Sequence, residues 1–247
     1  MAQRKEQAHT HDGHRKRLRQ KYRQGGLDVL SDHEVLELLL GCTIPRGDTN
    51  PAGHALMQRF GRLSGVLEAS ERELQQSHGV GPMSAFWLHL IPEIARRYSM
   101  DKLGERPRLA TCQQACAYAQ ALMMGKRTEE LYLLCLDTRF RLNSAVKLQR
   151  GTVDSVPVYT REVVSAALQG NAKNAILVHN HPSGAVKPSQ QDIAMTQQVL
   201  QALETIKVHL LDHLIVGEGM CYSFTQSQPV SFAPQEKDLA YAAEEEG

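Results

Sequence analysis

Cysteine is sparse in this sequence, and what there is does not pair. Cys42, Cys112, Cys116, Cys135 and Cys221 are an odd number scattered over 247 positions. Such a set excludes a disulfide framework and makes the cytoplasm the default compartment. Cys112 and Cys116, one helical turn apart, read as neighbours on a helix. No apolar run approaches the roughly 20 residues that a membrane span requires, so no membrane partner is expected. The polar, basic start lacks the hydrophobic segment of a secretory signal. Charge of one sign is also missing: 28 Lys and Arg face 27 Asp and Glu. No global field therefore announces a nucleic-acid or membrane surface. The chain holds neither an internal repeat nor a low-complexity tract.

Charge is uneven locally. Arg4, Lys5, Arg15, Lys16, Arg17, Arg19, Lys21 and Arg23 crowd the first 23 residues against Glu6 and Asp12, while Glu244-Glu245-Glu246 makes the far end acidic. Residues 1–100 read as a helical domain. Ser31 caps a leucine-rich helix through Leu40, a second helix runs from Pro51 to Phe60 with Gly61 as its stop, and a short one covers Ser70 to Gln76. An apolar helix follows from Met83 to about Tyr98. The breaker-rich stretch Asp101–Pro107 marks a domain boundary. From 107 to 227 short apolar runs alternate with helical ones. Strands are expected at Leu131–Leu136, Arg141–Leu148, Val156–Tyr159, Ala175–Val178 and Val208–Val216. Helices are expected at Gln113–Met124, Arg161–Leu168 and Ser189–Thr205. That alternation predicts a layered α/β domain, and 228–247 reads as an acidic tail.

The densest chemical signal is Val178-His179-Asn180-His181-Pro182-Ser183-Gly184 followed by Ser189-Gln190-Gln191-Asp192. Two histidines two apart on an extended backbone leave from one face, here at the exit of a buried strand, where α/β folds open their ligand crevices. Ser189 caps the next helix and places Asp192 in its first turn. Two imidazoles, one carboxylate and an open fourth position form the ligand set of a catalytic zinc, one ion per chain. Such an ion lowers the pKa of a water and polarises a substrate carbonyl, and Ser189 is then placed to hydrogen-bond the oxyanion. Each piece has a plainer reading: Ser-x-x-Asp as a capping box, His-x-His as a solvated pair. Asp212-His213 reads either as a second shell orienting a ligand imidazole or as a satisfied structural histidine. His209 reads as surface, and His9, His11 and His14 as part of the basic arm.

His-x-His, seven residues beginning with Pro182, then Ser-x-x-Asp resembles the motif of JAMM (MPN-type) zinc metalloproteases. Arg150-Gly151-Thr152, Tyr159-Thr160-Arg161-Glu162-Val163-Val164, the His179–Gly184 run and Leu211–Gly217 resemble the bacterial RadC family over most of residues 107–227. Gly13-His14-Arg15 and Leu36–Leu40 resemble that family's amino-terminal part. The resemblance implies a cytidine-deaminase-like α/β/α domain preceded by a small all-α domain, with zinc on His179, His181 and Asp192 and Ser189 stabilising a tetrahedral intermediate. The implied substrate is a peptide or protein whose peptide or isopeptide bond is cleaved. One position departs. Where the family pattern places a general-base glutamate, five residues before the Gly-Thr pair, this chain has Val146. No acidic residue lies between Asp137 and Asp154. Glu162 and Asp154 are the nearest carboxylates, and Glu162 reads first as an anchor of its helix.

Gly79-Val80-Gly81-Pro82, between a short helix and a long one, looks like the turn of a helix-hairpin-helix, in which backbone amides at Gly79 and Gly81 cradle a DNA phosphate without reading sequence. Leu18 and Tyr22 share one face of the basic stretch, leaving Arg15, Arg19 and Arg23 as a phosphate-binding row or a solvated one. Three functions follow: a zinc-dependent hydrolase impaired at its base; a DNA- or protein-binding module of repair or replication with a vestigial zinc; and, least supported, a phosphodiesterase, for which one aspartate is few.

Overall fold

A computed structural model describes residues 2–148 and 156–231, with side chains from Gly13 onward and, after the gap, from Thr160 onward. Asp154, the Arg150-Gly151-Thr152 run, the His9 and His11 side chains and the tail from 232 lie outside what is described. The chain divides into two compact units, 1–95 and 96–247. Among the described residues no helix is long and apolar enough to cross a membrane.

The first unit is all helical: α1 (Ala2–Gly25), α2 (Asp32–Thr43), α3 (Asn50–Phe60), α4 (Leu63–Glu68), α5 (Glu71–Leu74) and the start of α6 (Pro82–Leu103). Ser31 and Ser70 each open a helix with a capping box, against Glu34 and Glu73 respectively, satisfying amide groups that a helix start leaves unpaired. Leu36, Leu40, Leu56, Val66, Leu74 and Leu88 are fully buried in one core. Leu18 fills a smaller cluster with Leu30 and Val35, whereas Tyr22, its expected companion, is half exposed. The Arg15 guanidinium donates to the carbonyls of Ile44, Pro45 and Gly47, so it clasps the end of α2. Arg15, Arg19 and Arg23 together line, with Leu18 and Leu38, a cavity of about 350 Å³. The helix expected to end near Tyr98 continues to Leu103, into the expected boundary, and Gly104 stops it at φ +79°.

The second unit is a mixed six-stranded sheet, in spatial order β2 (Leu142–Leu148), β1 (Leu131–Leu136), β3 (Asn174–Asn180), β4 (His209–Val216), β5 (Met220–Ser223), β6 (Gln228–Ser231). Strand β6 lies in the stretch that reads as tail. Among the described strands only β3 and β4 pair in parallel, joined by the crossover helix α9 (Gln190–Thr205). Helix α7 (Cys112–Met123) covers one face, with Leu134, Leu136, Ile176, Val178 and Leu214 beneath it. On the other face α8 (Val156–Gln169) and α9 bury Leu131, Leu133, Cys135 and Leu177. This is the expected α/β/α domain behind a helical one. One expectation fails: Val156–Tyr159, read as a strand from its β-branched and aromatic residues, is the first turn of α8. Pro157 sits where a helix needs no amide donor, so it starts the helix rather than breaking it.

Register places the chemistry. On the α8/α9 face, Leu148 of β2, Leu131 of β1 and His179 of β3 lie side by side; Val146, Leu133, Leu177 and His213 form the next row. Both α8 and α9 follow the ends of strands at the His179 edge, so their N-termini face that edge.

Candidate metal centre

His179 is the penultimate residue of β3 and is buried, and His181 follows one residue past the strand. Asn180 between them points away. Its side chain accepts from the Glu130 amide and donates to the carbonyls of Lys126 and Thr128, tying β3 to the approach of β1. The loop after His181 folds tightly over β4: the His181 amide donates to Val216, and Gly184 and Glu218 exchange a backbone bond. A Cβ on Gly217 would stand 2.4 Å from the Gly184 carbonyl oxygen, so only glycine allows this approach. Ser189 then caps α9 and delivers Asp192, buried, to the histidines.

The three expected side chains converge. Nε2 of His179 lies 3.0 Å from Nε2 of His181 and 3.2 Å from Oδ1 of Asp192, and Oδ2 of Asp192 is 3.6 Å from Nε2 of His181. Among the described residues, this is the one group of three or more His, Cys, Asp or Glu side chains compact enough to hold a metal ion, with donor atoms within 4.8 Å of one another. A tetrahedral ion bound at ordinary zinc distances sets its donors about 3.3 Å apart, so the donor set fits a first-row divalent cation.

The hydrogen bonds dictate where the protons are. Thr196, one turn after Asp192 on α9, gives its hydroxyl proton to the Asp192 carbonyl at 2.6 Å. Its oxygen can then only accept from Nδ1 of His213, also at 2.6 Å. Burial pushes the His213 pKa well below the usual histidine range, so the ring favours its neutral form, in which Nε2 carries a lone pair. That lone pair accepts from Nδ1 of His179 at 2.8 Å. Nδ1 of His181 donates to the Ala185 carbonyl at 2.7 Å. Both rings thus have Nδ1 engaged and turn Nε2 toward the same point, where a neutral ring offers a lone pair.

Asp192 adds a negative charge there. Burial raises its pKa, but a proton shared with His179 and the two Ser189 donors outweigh that and hold the carboxyl below the usual carboxylate range. Three acceptors facing one another at about 3 Å repel unless a cation, a proton or a metal ion, sits among them. The Ser189 hydroxyl is committed in this arrangement: it donates to Oδ2 of Asp192 at 2.6 Å and accepts from the Asp192 amide.

His213 takes the orienting place rather than a merely structural one; its ring also stacks on Phe224 at 4.6 Å. Asp212 does not touch that ring. It accepts from Ser223 and the Thr225 amide and so fastens the turn after β5. Thr196 and the Ala185 carbonyl were missed by sequence reasoning; the i, i+4 spacing of Thr196 from Asp192 was the available signal. His209 is exposed, as expected, and His14 pairs with buried Glu37 at 2.9 Å. Gly79 and Gly81 lie in the other unit, in the turn between α5 and α6, and belong to no part of this centre.

Val146 is half-buried against the apolar cluster under α8 and α9, one row away from His179. The β2 residue in the His179 row is Leu148, which is 4% exposed. Neither register supplies a carboxylate from β2.

A family model described as the RadC-like JAB domain matches residues 109–229, and one described as the UPF0758 N-terminal family matches residues 12–86. A "UPF0758 protein" from Rhodobacter capsulatus is 40% identical over 207 residues, 84% of this chain and 97% of the relative. With the His-His-Asp centre in its sheet and the helical unit before it, the chain belongs to the UPF0758 family of proteins with a RadC-like JAB domain.

Proposed function

We propose that this protein is a zinc-dependent hydrolase of peptide or isopeptide bonds, with one ion per chain held by His179, His181 and Asp192. The observation that carries this reading is the convergence of two Nε2 atoms on the Asp192 carboxylate, each on a ring whose Nδ1 is engaged on the far side. Zinc in such a set acidifies a bound water and polarises a carbonyl. The chain's own residues do the rest. His213 and Thr196 hold the His179 ring in one tautomer, and the Ala185 carbonyl does the same for His181. Ser189 turns its proton from Asp192 to the oxyanion that develops on the substrate carbonyl. Metal analysis of the purified chain tests the site. About one zinc per chain is expected, lost in His181→Ala and in Asp192→Ala. Full occupancy in both variants overturns the ligand assignment.

A second reading concerns the helical unit: non-specific contact with DNA at the turn of Gly79 and Gly81. What favours it is that nothing lies within 4 Å of a Cβ built on Gly81, so a phosphate can approach the backbone at that residue, whereas Gly79, at φ +77°, packs on Ala52. The full-length wild type should retain duplex DNA in a salt-dependent way and Gly81→Glu should not; equal retention by both, or none by the wild type, refutes the contact.

A further inference from the structure

We propose that Glu162 of α8 is the general base of the centre, replacing a carboxylate that β2 lacks. The proposal rests on the hydrolase reading above and adds to it the residue that handles the proton. Oε2 of Glu162 is a buried carboxylate oxygen with no hydrogen-bond partner. Burying such an atom unpartnered costs stability unless something else visits it.

Position follows from the packing of α8. At its far end Gly170 presses on the sheet so closely that a Cβ there would lie 2.6 Å from Sγ of Cys135 and 2.7 Å from Oγ of Ser144. One turn earlier the Ala166 carbonyl accepts from Sγ of Cys135 at 3.6 Å. Residues 162, 166 and 170 form one ridge at i, i+4 and i+8, and that ridge lies on β1 and β2. Eight residues of helix advance about 12 Å. Four residues of strand, from Ser144 to Leu148, advance about 13 Å. The ridge that touches Ser144 at Gly170 therefore reaches the level of Leu148 at Glu162, the row that continues through Leu131 to His179. From there a three-bond side chain spans the width of about one strand toward the histidines.

The step balances without another reactant. Glu162 accepts a proton from water as the water oxygen bonds to the substrate carbonyl carbon. It returns that proton to the departing nitrogen as the C–N bond breaks, ending as the carboxylate it began as.

The test uses the full chain and cobalt(II) alone as probe. With glutamate δ-carbons labelled, the Glu162 signal is assigned by its disappearance in Glu162→Gln, or in Glu162→Asp if the amide variant does not fold. One equivalent of cobalt should broaden that signal beyond detection in the wild type and leave it sharp in His181→Ala. Cobalt bound with a sharp Glu162 signal overturns the role of Glu162 and spares the metal centre. Failure to bind cobalt overturns the centre itself, and Glu162 with it. As a second readout, on any peptide the wild type cleaves, Glu162→Gln should lose about 10²- to 10⁴-fold in rate with cobalt affinity unchanged; unchanged cleavage also refutes the proposal.

Discussion

A lone pair on an imidazole is a ligand only if the proton is kept on the other nitrogen, and here a chain of three groups holds one there. The Asp192 carbonyl fixes Thr196, Thr196 fixes His213, and His213 fixes His179. Asp192 thus supplies a donor to the centre from its side chain and orients a second donor through its backbone. Replacing His213 by Phe keeps the buried ring and its stack on Phe224 but removes the acceptor for Nδ1 of His179. Metal affinity, measured by competition with a chromophoric chelator, should fall about 10- to 100-fold. An unchanged affinity would mean that the tautomer is set elsewhere. The ligands themselves were legible because their spacing is local: two apart on a strand, three after a cap. His213 was legible only as a choice between two roles. Which role holds depends on the register between β3 and β4, in which Leu177 faces His213, and no stretch of sequence encodes a register.

At the scale of elements, the loop that carries His181 is held by one close backbone approach, Gly217 against Gly184. Gly217→Ala forces a methyl into a space that backbone atoms occupy, and overpacking of that kind costs about 1–3 kcal/mol. The variant should unfold at lower denaturant and bind metal more weakly than wild type; stability within error of wild type would show that the loop yields freely. Long periodic helices and the continuous apolar strands β1 and β3 were readable because their patterns repeat. Two boundaries were not. Val156–Tyr159 carries strand-forming residues, yet as the first turn of a helix it suffers little from Pro157. The charged stretch 101–103 looks like a linker, yet Met100 and Leu103 pack on the core of the second unit, so tertiary contact extends α6 through it.

For the whole molecule, the decisive point is that the binding energy of the proposed ion would enter one unit's fold. Ligands come from β3, from the loop after it and from α9, with His213 on β4 behind them, all inside residues 96–247. An ion that binds the folded form adds RT ln(1 + [L]/Kd) to stability, about 2.7 kcal/mol at a hundredfold excess over Kd. That gain should appear as slower amide exchange in the elements the ligands join. Exchange measured by mass spectrometry on the full chain, with and without zinc, should show added protection in peptides covering 174–181, 189–199 and 209–216. Peptides from α2, α3 and the first turns of α6 should exchange as before, because their core of Leu36, Leu40, Leu56 and Leu88 shares no ligand with the centre. Equal protection across both units would mean that zinc acts on the chain as a whole, and protection confined to the helical unit would place the ion elsewhere.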